Sequence, residues 1–90
     1  MPRKQDVPTI NLDDFTIARE VLDLLPGEVA LRHRVLPVNA EDGTLVVAMA
    51  DPSNLHAVDT VKEKTGMSVE VCLAETRALR RAIDRYYFPN

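Results

Sequence analysis

The run Thr44-Leu45-Val46-Val47-Ala48-Met49-Ala50 constrains this chain more than any other stretch. After its first residue it is apolar on both alternating faces, and a strand of that kind needs cover on both sides. A chain of 90 residues has room for one such strand, at the centre of one small sheet. A domain this size hides only about 60–65% of its unfolded surface, so its core is modest.

The flanks of the run say what surrounds it. Asn39-Ala40-Glu41-Asp42-Gly43 is turn chemistry, with Gly43 supplying the residue that accepts positive φ. Val35-Leu36-Pro37-Val38 then reads as a hairpin partner, and Pro37, having no N–H to donate, places it at a sheet edge. After the run, Asp51, Ser53 and Asn54 can bond to local backbone, while Pro52 presets φ for a helix start. A helix is expected from about Asn54 to Thr65, burying Leu55, Val58 and Val61 and ending at Gly66. Ser68 to Leu73 alternates, with Val69, Val71 and Leu73 facing one way, as a third strand. Strand, crossover helix and strand imply a right-handed βαβ unit with parallel strands.

Helices complete the chain. Thr16 is a candidate N-cap for a helix whose stripe is Ile17, Val21, Leu24 and Leu25. Pro26 opens a second helix to His33, burying Val29 and Ala30. A last helix from about Glu75 to Tyr87 buries Leu79, Ala82, Ile83 and Tyr86. The expected fold class is α/β (α+β), in the order α-α-β-β-α-β-α, with a mixed three-stranded sheet. The third strand is expected to leave an edge suited to strand addition. Residues 1–10 read as a flexible lead-in, 11–88 as a single domain, and 89–90 as the start of a linker or tail.

Several function classes are disfavoured by residue content. The formal net charge is -3, which offers no basic field for a nucleic-acid backbone. The three glycines, Gly27, Gly43 and Gly66, form neither a P-loop nor a dinucleotide fingerprint, which argues against nucleotide hydrolysis by these residues. His33 and His56 lack metal-ligand spacing, and no cofactor is expected. His33 reads as a helix-terminal residue and His56 as solvated. Cys72, the single cysteine, reads as a small buried hydrophobe in a reducing compartment. Asp51 reads as a turn and cap residue, since no second carboxylate pairs with it for acid–base work. No apolar run spans a bilayer and no secretion signal is visible, so a cytoplasmic location is expected.

Two basic sets remain. Arg77, Arg80, Arg81 and Arg85 recur at helical spacing opposite the apolar stripe of the last helix, and Arg32-His33-Arg34 forms a second cluster. Both suit either a solvated face with intrahelical ion pairs or a docking surface for an acidic protein or anionic ligand. Tyr87 and Phe88 are candidates for an interface or for the point where a larger protein continues.

Taken in order, Leu24-Leu25-Pro26, Ala30, Arg32-His33-Arg34-Val35-Leu36-Pro37-Val38, Gly43-Thr44-Leu45 and Val47-Ala48-Met49-Ala50-Asp51-Pro52-Ser53-Asn54 resemble a known pattern. It is that of the N-terminal domain of type II secretion and type IV pilus assembly ATPases. Gly66, Val69, Val71, Ile83 and Tyr86-Tyr87 continue it, so the resemblance covers about residues 11–88. It implies a non-catalytic interaction module that docks a motor to the cytoplasmic domain of an inner-membrane platform protein. The hydrolytic domain would lie C-terminal in cis. Longer relatives bind cyclic di-GMP through a repeated helical motif beginning Arg-Leu-Gly. Residues 1–16 contain no such motif, so that binding is not carried over and stands as the alternative. Lys62-Glu63-Lys64-Thr65 is more polar than the family's usual segment, so a surface covered in relatives is expected to face solvent.

Overall fold

The computed structural model describes residues 9–12 and 16–88. The elements are α1 (Arg19–Leu22), α2 (Gly27–His33), β1 (Val35–Glu41), β2 (Thr44–Met49), α3 (Leu55–Thr65), β3 (Ser68–Leu73) and α4 (Thr76–Tyr87). The sheet order is β1-β2-β3, antiparallel then parallel, so the doubly apolar run is the central strand and Pro37 lies on an edge strand.

The hairpin is tighter than expected. Asn39 to Glu41 belong to β1, and only Asp42 and Gly43 turn, at φ 53° and 78°. Positive φ at both central residues gives the twist that matches flanking strands. The register shifts between Pro37 and Asn39, and this bulge lets Asn39, Ala40 and Glu41 pair with Val46, Leu45 and Thr44. Leu45, Val47 and Met49 are sealed on one face of β2, while on the other Ala48 is buried and Val46 only half-buried.

β3 is held at both ends of its partner, by Ser68 N–H to the Gly43 carbonyl (3.1 Å) and Ala74 N–H to the Met49 carbonyl (2.9 Å). Its outer edge is not wholly free. Thr9 bridges Leu73 in parallel, and Ile10 N–H donates to the Leu73 carbonyl at 2.9 Å. Thr9 and Ile10 therefore do not behave as the flexible lead-in expected over 1–10; the rest of that segment lies outside the described residues, as do 89 and 90.

Four helical expectations are corrected by packing. α1 is a single turn with Ala18, not Thr16, at its N-cap and no side-chain cap. Buried Ile17 gives its N–H to the Tyr86 hydroxyl (3.4 Å), which holds the chain extended until Arg19. Leu24 is 38% exposed, outside the stripe drawn for it. Pro26 is the N-cap of α2, so the helix begins at Gly27, one position later than expected, and Val29 is half-buried beside fully buried Ala30. In α3 the inward residues are Ala57 and Val61, with Val58 half-buried. Leu55 is 69% exposed, because 3.6 residues per turn carry it off that stripe. In α4, Leu79, Ala82 and Ile83 are buried as expected, whereas Tyr86 is half-buried.

The caps of α3 explain its limits. Asn54 Oδ1 accepts from the Ala57 N–H (3.2 Å), and Gly66 at φ 69° returns its N–H to the Lys62 carbonyl (2.7 Å). The polar Lys62-Glu63-Lys64 segment is exposed. Cys72 is buried, its Sγ donating to the Val47 carbonyl (3.4 Å), and burial pushes its thiol up, which keeps it unreactive.

α4 is fastened to α1 and α2 through Tyr87, whose hydroxyl donates to the Leu22 carbonyl at 2.9 Å. Burial, reinforced by the Asp23 carboxylate, pushes the phenol above its ordinary range. The unfolded phenol ionises first, so stability held by the neutral ring is complete below about pH 10 and is lost as pH rises beyond it. Urea unfolding is expected to fall off more steeply above that pH in the native chain than in Tyr87→Phe. Solvent access to the ring keeps the difference under about 1 kcal/mol per pH unit.

Candidate docking cleft

The two basic sets lie far apart in sequence and meet in space. β2 ends at Met49, α2 ends at His33, and α4 begins at Thr76; these three ends surround an open cleft of about 850 Å³. Arg32, His33 and Arg34 form one wall. Thr76, Arg77, Arg80, Arg81 and Asp84 form the other. Half-buried Ala50 and the buried Met49, Leu79 and Ile83 form its apolar floor, and Asp51 and Asn54 close the end nearest α3. The C-terminal ends of parallel strands are where α/β sheets place their binding groups, because loops and helix ends converge there.

Helical geometry brings these side chains together. Leu79 and Ile83 turn inward on α4, which turns Arg77, Arg80 and Arg81 outward along the rim of the cleft. Arg85 is on the same helix but is not among the lining residues, so the four-arginine set read from spacing is divided by the structure. Five arginines face two aspartates here, a positive patch on a chain of net charge -3. Among the described residues the only ion pair is Arg80 with Asp84, at 3.7 Å between exposed side chains.

Asp51 is occupied locally. Its Oδ1 accepts from the Ser53 N–H (3.1 Å) and the Ser53 hydroxyl (2.6 Å). The hydroxyl first, then the backbone bond, holds its carboxyl below the usual carboxylate range. Asp51 thus orders the turn, and Asn54 caps α3, while Pro52 sits between them and Gly43 and Gly66 supply the left-handed turns.

Sequence spacing gave no reason to connect His33 and His56, yet their rings meet edge to face, 5.5 Å between centroids. Partial burial, then the charges of His56 and Arg32, push the His33 imidazole below its ordinary value. The contact arises because the first turn of α3, which holds His56, starts beside the last residue of α2, which only the folded chain reveals. Among the described residues no group of three or more His, Cys, Asp or Glu could hold a metal ion, and no helix is long and apolar enough to cross a membrane.

Residues 5–88 match the MshEN domain family. The chain is 45% identical over 87 residues to the type IV pilus assembly ATPase PilB of Myxococcus xanthus, and 32% identical over 65 residues to PilB of Pseudomonas aeruginosa. These alignments take in 97% and 72% of this chain but only 15% and 12% of those proteins. Among solved structures, that of MshE with cdg superposes with a TM-score of 0.83 at 30% identity, covering 90% of this chain and 59% of that one. The N-terminal domain of XpsE shares the fold, with a TM-score of 0.77 at 21% identity over 90% of this chain and 57% of that one. Agreement of family, sequence relatives and fold over nearly all the described residues places the chain in the MshEN domain family, the N-terminal domain type of type IV pilus assembly ATPases.

Proposed function

We propose that this domain is a non-catalytic docking and regulatory module of a type IV pilus or type II secretion ATPase. In this reading it binds the cytoplasmic domain of an inner-membrane platform protein, at the cytoplasmic face of the membrane. The motor domain would be joined in cis. One observation carries the proposal: Arg32-His33-Arg34 and Arg77, Arg80 and Arg81 converge on one open cleft. Guanidinium forks around a cleft suit recognition of carboxylate or phosphate, and nothing among these side chains makes a nucleophile–base pair.

The test is calorimetry between the 90-residue chain and the purified cytoplasmic domain of such a platform protein. Saturable binding is expected. Alanine at Arg77, Arg80 and Arg81 together is expected to weaken it at least ~10-fold, about 1.4 kcal/mol, with unfolding unchanged. Arg85→Ala, outside the cleft, is expected to leave it intact. Full-strength binding by the folded triple variant would remove the cleft from the interface, and absence of binding by the native chain would remove the docking reading.

A second reading draws on the MshE structure, which carries cdg. Taken as cyclic di-GMP, its phosphates would suit the same arginines. The Arg-Leu-Gly motif that the resemblance ties to that binding does not occur within residues 1–16. Heat on titrating cyclic di-GMP into the chain would favour this second reading.

A further inference from the structure

Arg34 occupies a backbone position that glycine usually holds. It follows the last residue of α2 at φ 56°, ψ 52°, in the left-handed region, where a Cβ crowds the following carbonyl. The equivalent position after α3 is Gly66, at φ 69°. Arginine there lowers stability relative to glycine, and its side chain contributes to the wall of the cleft. Across from it, Arg77 and Arg81 stand four residues apart on one face of α4. None of these three arginines has an ion-pair partner among the described residues. Between the walls the floor is apolar, with half-buried Ala50 beside the buried Met49 and Leu79.

We propose that the cleft binds an acidic segment of a partner protein, with Asp or Glu side chains flanking an apolar residue, and that Arg34 is kept in its strained position to anchor it. The proposal rests on the docking reading and names the chemistry of the docked segment. Carboxylates repeated at helical spacing match the i, i+4 spacing of Arg77 and Arg81, and charge complementarity supplies the orientation. Half-buried Ala50 and the methylene stems of the flanking arginines give a small flanked aliphatic side chain a place that a free phosphate would leave empty. Among the described residues no aromatic ring other than the His33 imidazole lines the cleft to stack a nucleobase.

Fluorescence anisotropy tests this with a fluorescein-labelled peptide carrying leucines flanked by glutamates four residues apart, and with its glutamine counterpart. The acidic peptide is expected to saturate the native chain, and the glutamine peptide to bind at least ~10-fold more weakly. Arg34→Gly is the decisive variant. It is expected to raise Tm and yet weaken the acidic peptide several-fold, a combination that a merely structural arginine would not produce. Arg34→Lys, which keeps the charge but not the fork, is expected to fall between.

Unchanged affinity in Arg34→Gly, or equal binding of both peptides, would overturn the proposal. Tighter binding of inorganic pyrophosphate than of the acidic peptide would overturn it in favour of a phosphate ligand. If the platform-protein domain binds the chain but is indifferent to Arg34→Gly, the docking reading survives and this one fails. If that domain does not bind while the acidic peptide does so through Arg34, the partner assignment fails and this proposal stands.

Discussion

Leu36→Ala is expected to lower the unfolding free energy by about 3 kcal/mol and Tm by more than ~10 °C. Leu36 is fully buried in β1, opposite Ala48 of β2, which in turn lies opposite Cys72 of β3. Residues in register across strands share a face, so the three side chains form one row. Two of them are small, and neither can swing into the space a removed isobutyl group leaves. The cavity term therefore adds almost in full to the lost transfer energy. Ninety residues hold a total of about 5–13 kcal/mol, so the loss takes a large share of what keeps the domain folded. Urea unfolding with an unchanged m-value would show it. A loss below about 1 kcal/mol would mean that this face of the sheet repacks freely.

The second large effect is expected at Gly27. This residue opens α2 where α2 crosses α4, and a Cβ built on it would lie 3.0 Å from Tyr87 Cδ1 and 3.2 Å from Tyr87 Cβ. Glycine is needed here for close approach rather than for a special φ. The ring cannot turn aside without giving up its hydroxyl bond to the Leu22 carbonyl, and Cβ cannot move unless α4 moves. Gly27→Val is therefore expected to cost about 2 kcal/mol by overpacking. In a double-mutant cycle, Tyr87→Ala is expected to recover part of that cost, since contacting residues couple. The same substitution is expected to disturb the cleft, because α2 and α4 carry its two walls. Simple additivity in the cycle would show that the two helices separate independently of this contact.

Much of the fold is legible in the chain because its signals are local. The Thr44–Ala50 run, the Asp42-Gly43 turn, the Asn54 cap and the Gly66 stop each act within a few residues of themselves, and the element order follows from them. The MshEN resemblance is legible for the same reason, since its blocks are those strands, turns and caps. What failed locally failed where distant partners intervened. Thr16 lost its capping role because the chain stays extended through Ala18, with the Ile17 N–H reaching the distant Tyr86 hydroxyl, so the helix starts later. Leu55 is apolar but exposed because Ala57 and Val61 already cover that side of the sheet. Thr9 and Ile10 left the lead-in because the β3 edge offered them backbone partners.

By itself, then, the sequence determined the strand order, the two left-handed glycine turns, the single buried thiol and the two basic sets. Only tertiary structure decided that Arg32-His33-Arg34 and Arg77, Arg80 and Arg81 face one cleft while Arg85 does not, and that His33 meets His56. The reason is one of range. Propensity, capping and turn chemistry are settled by neighbours along the chain, whereas a cleft exists only once helices from opposite ends of the chain have packed against the same sheet.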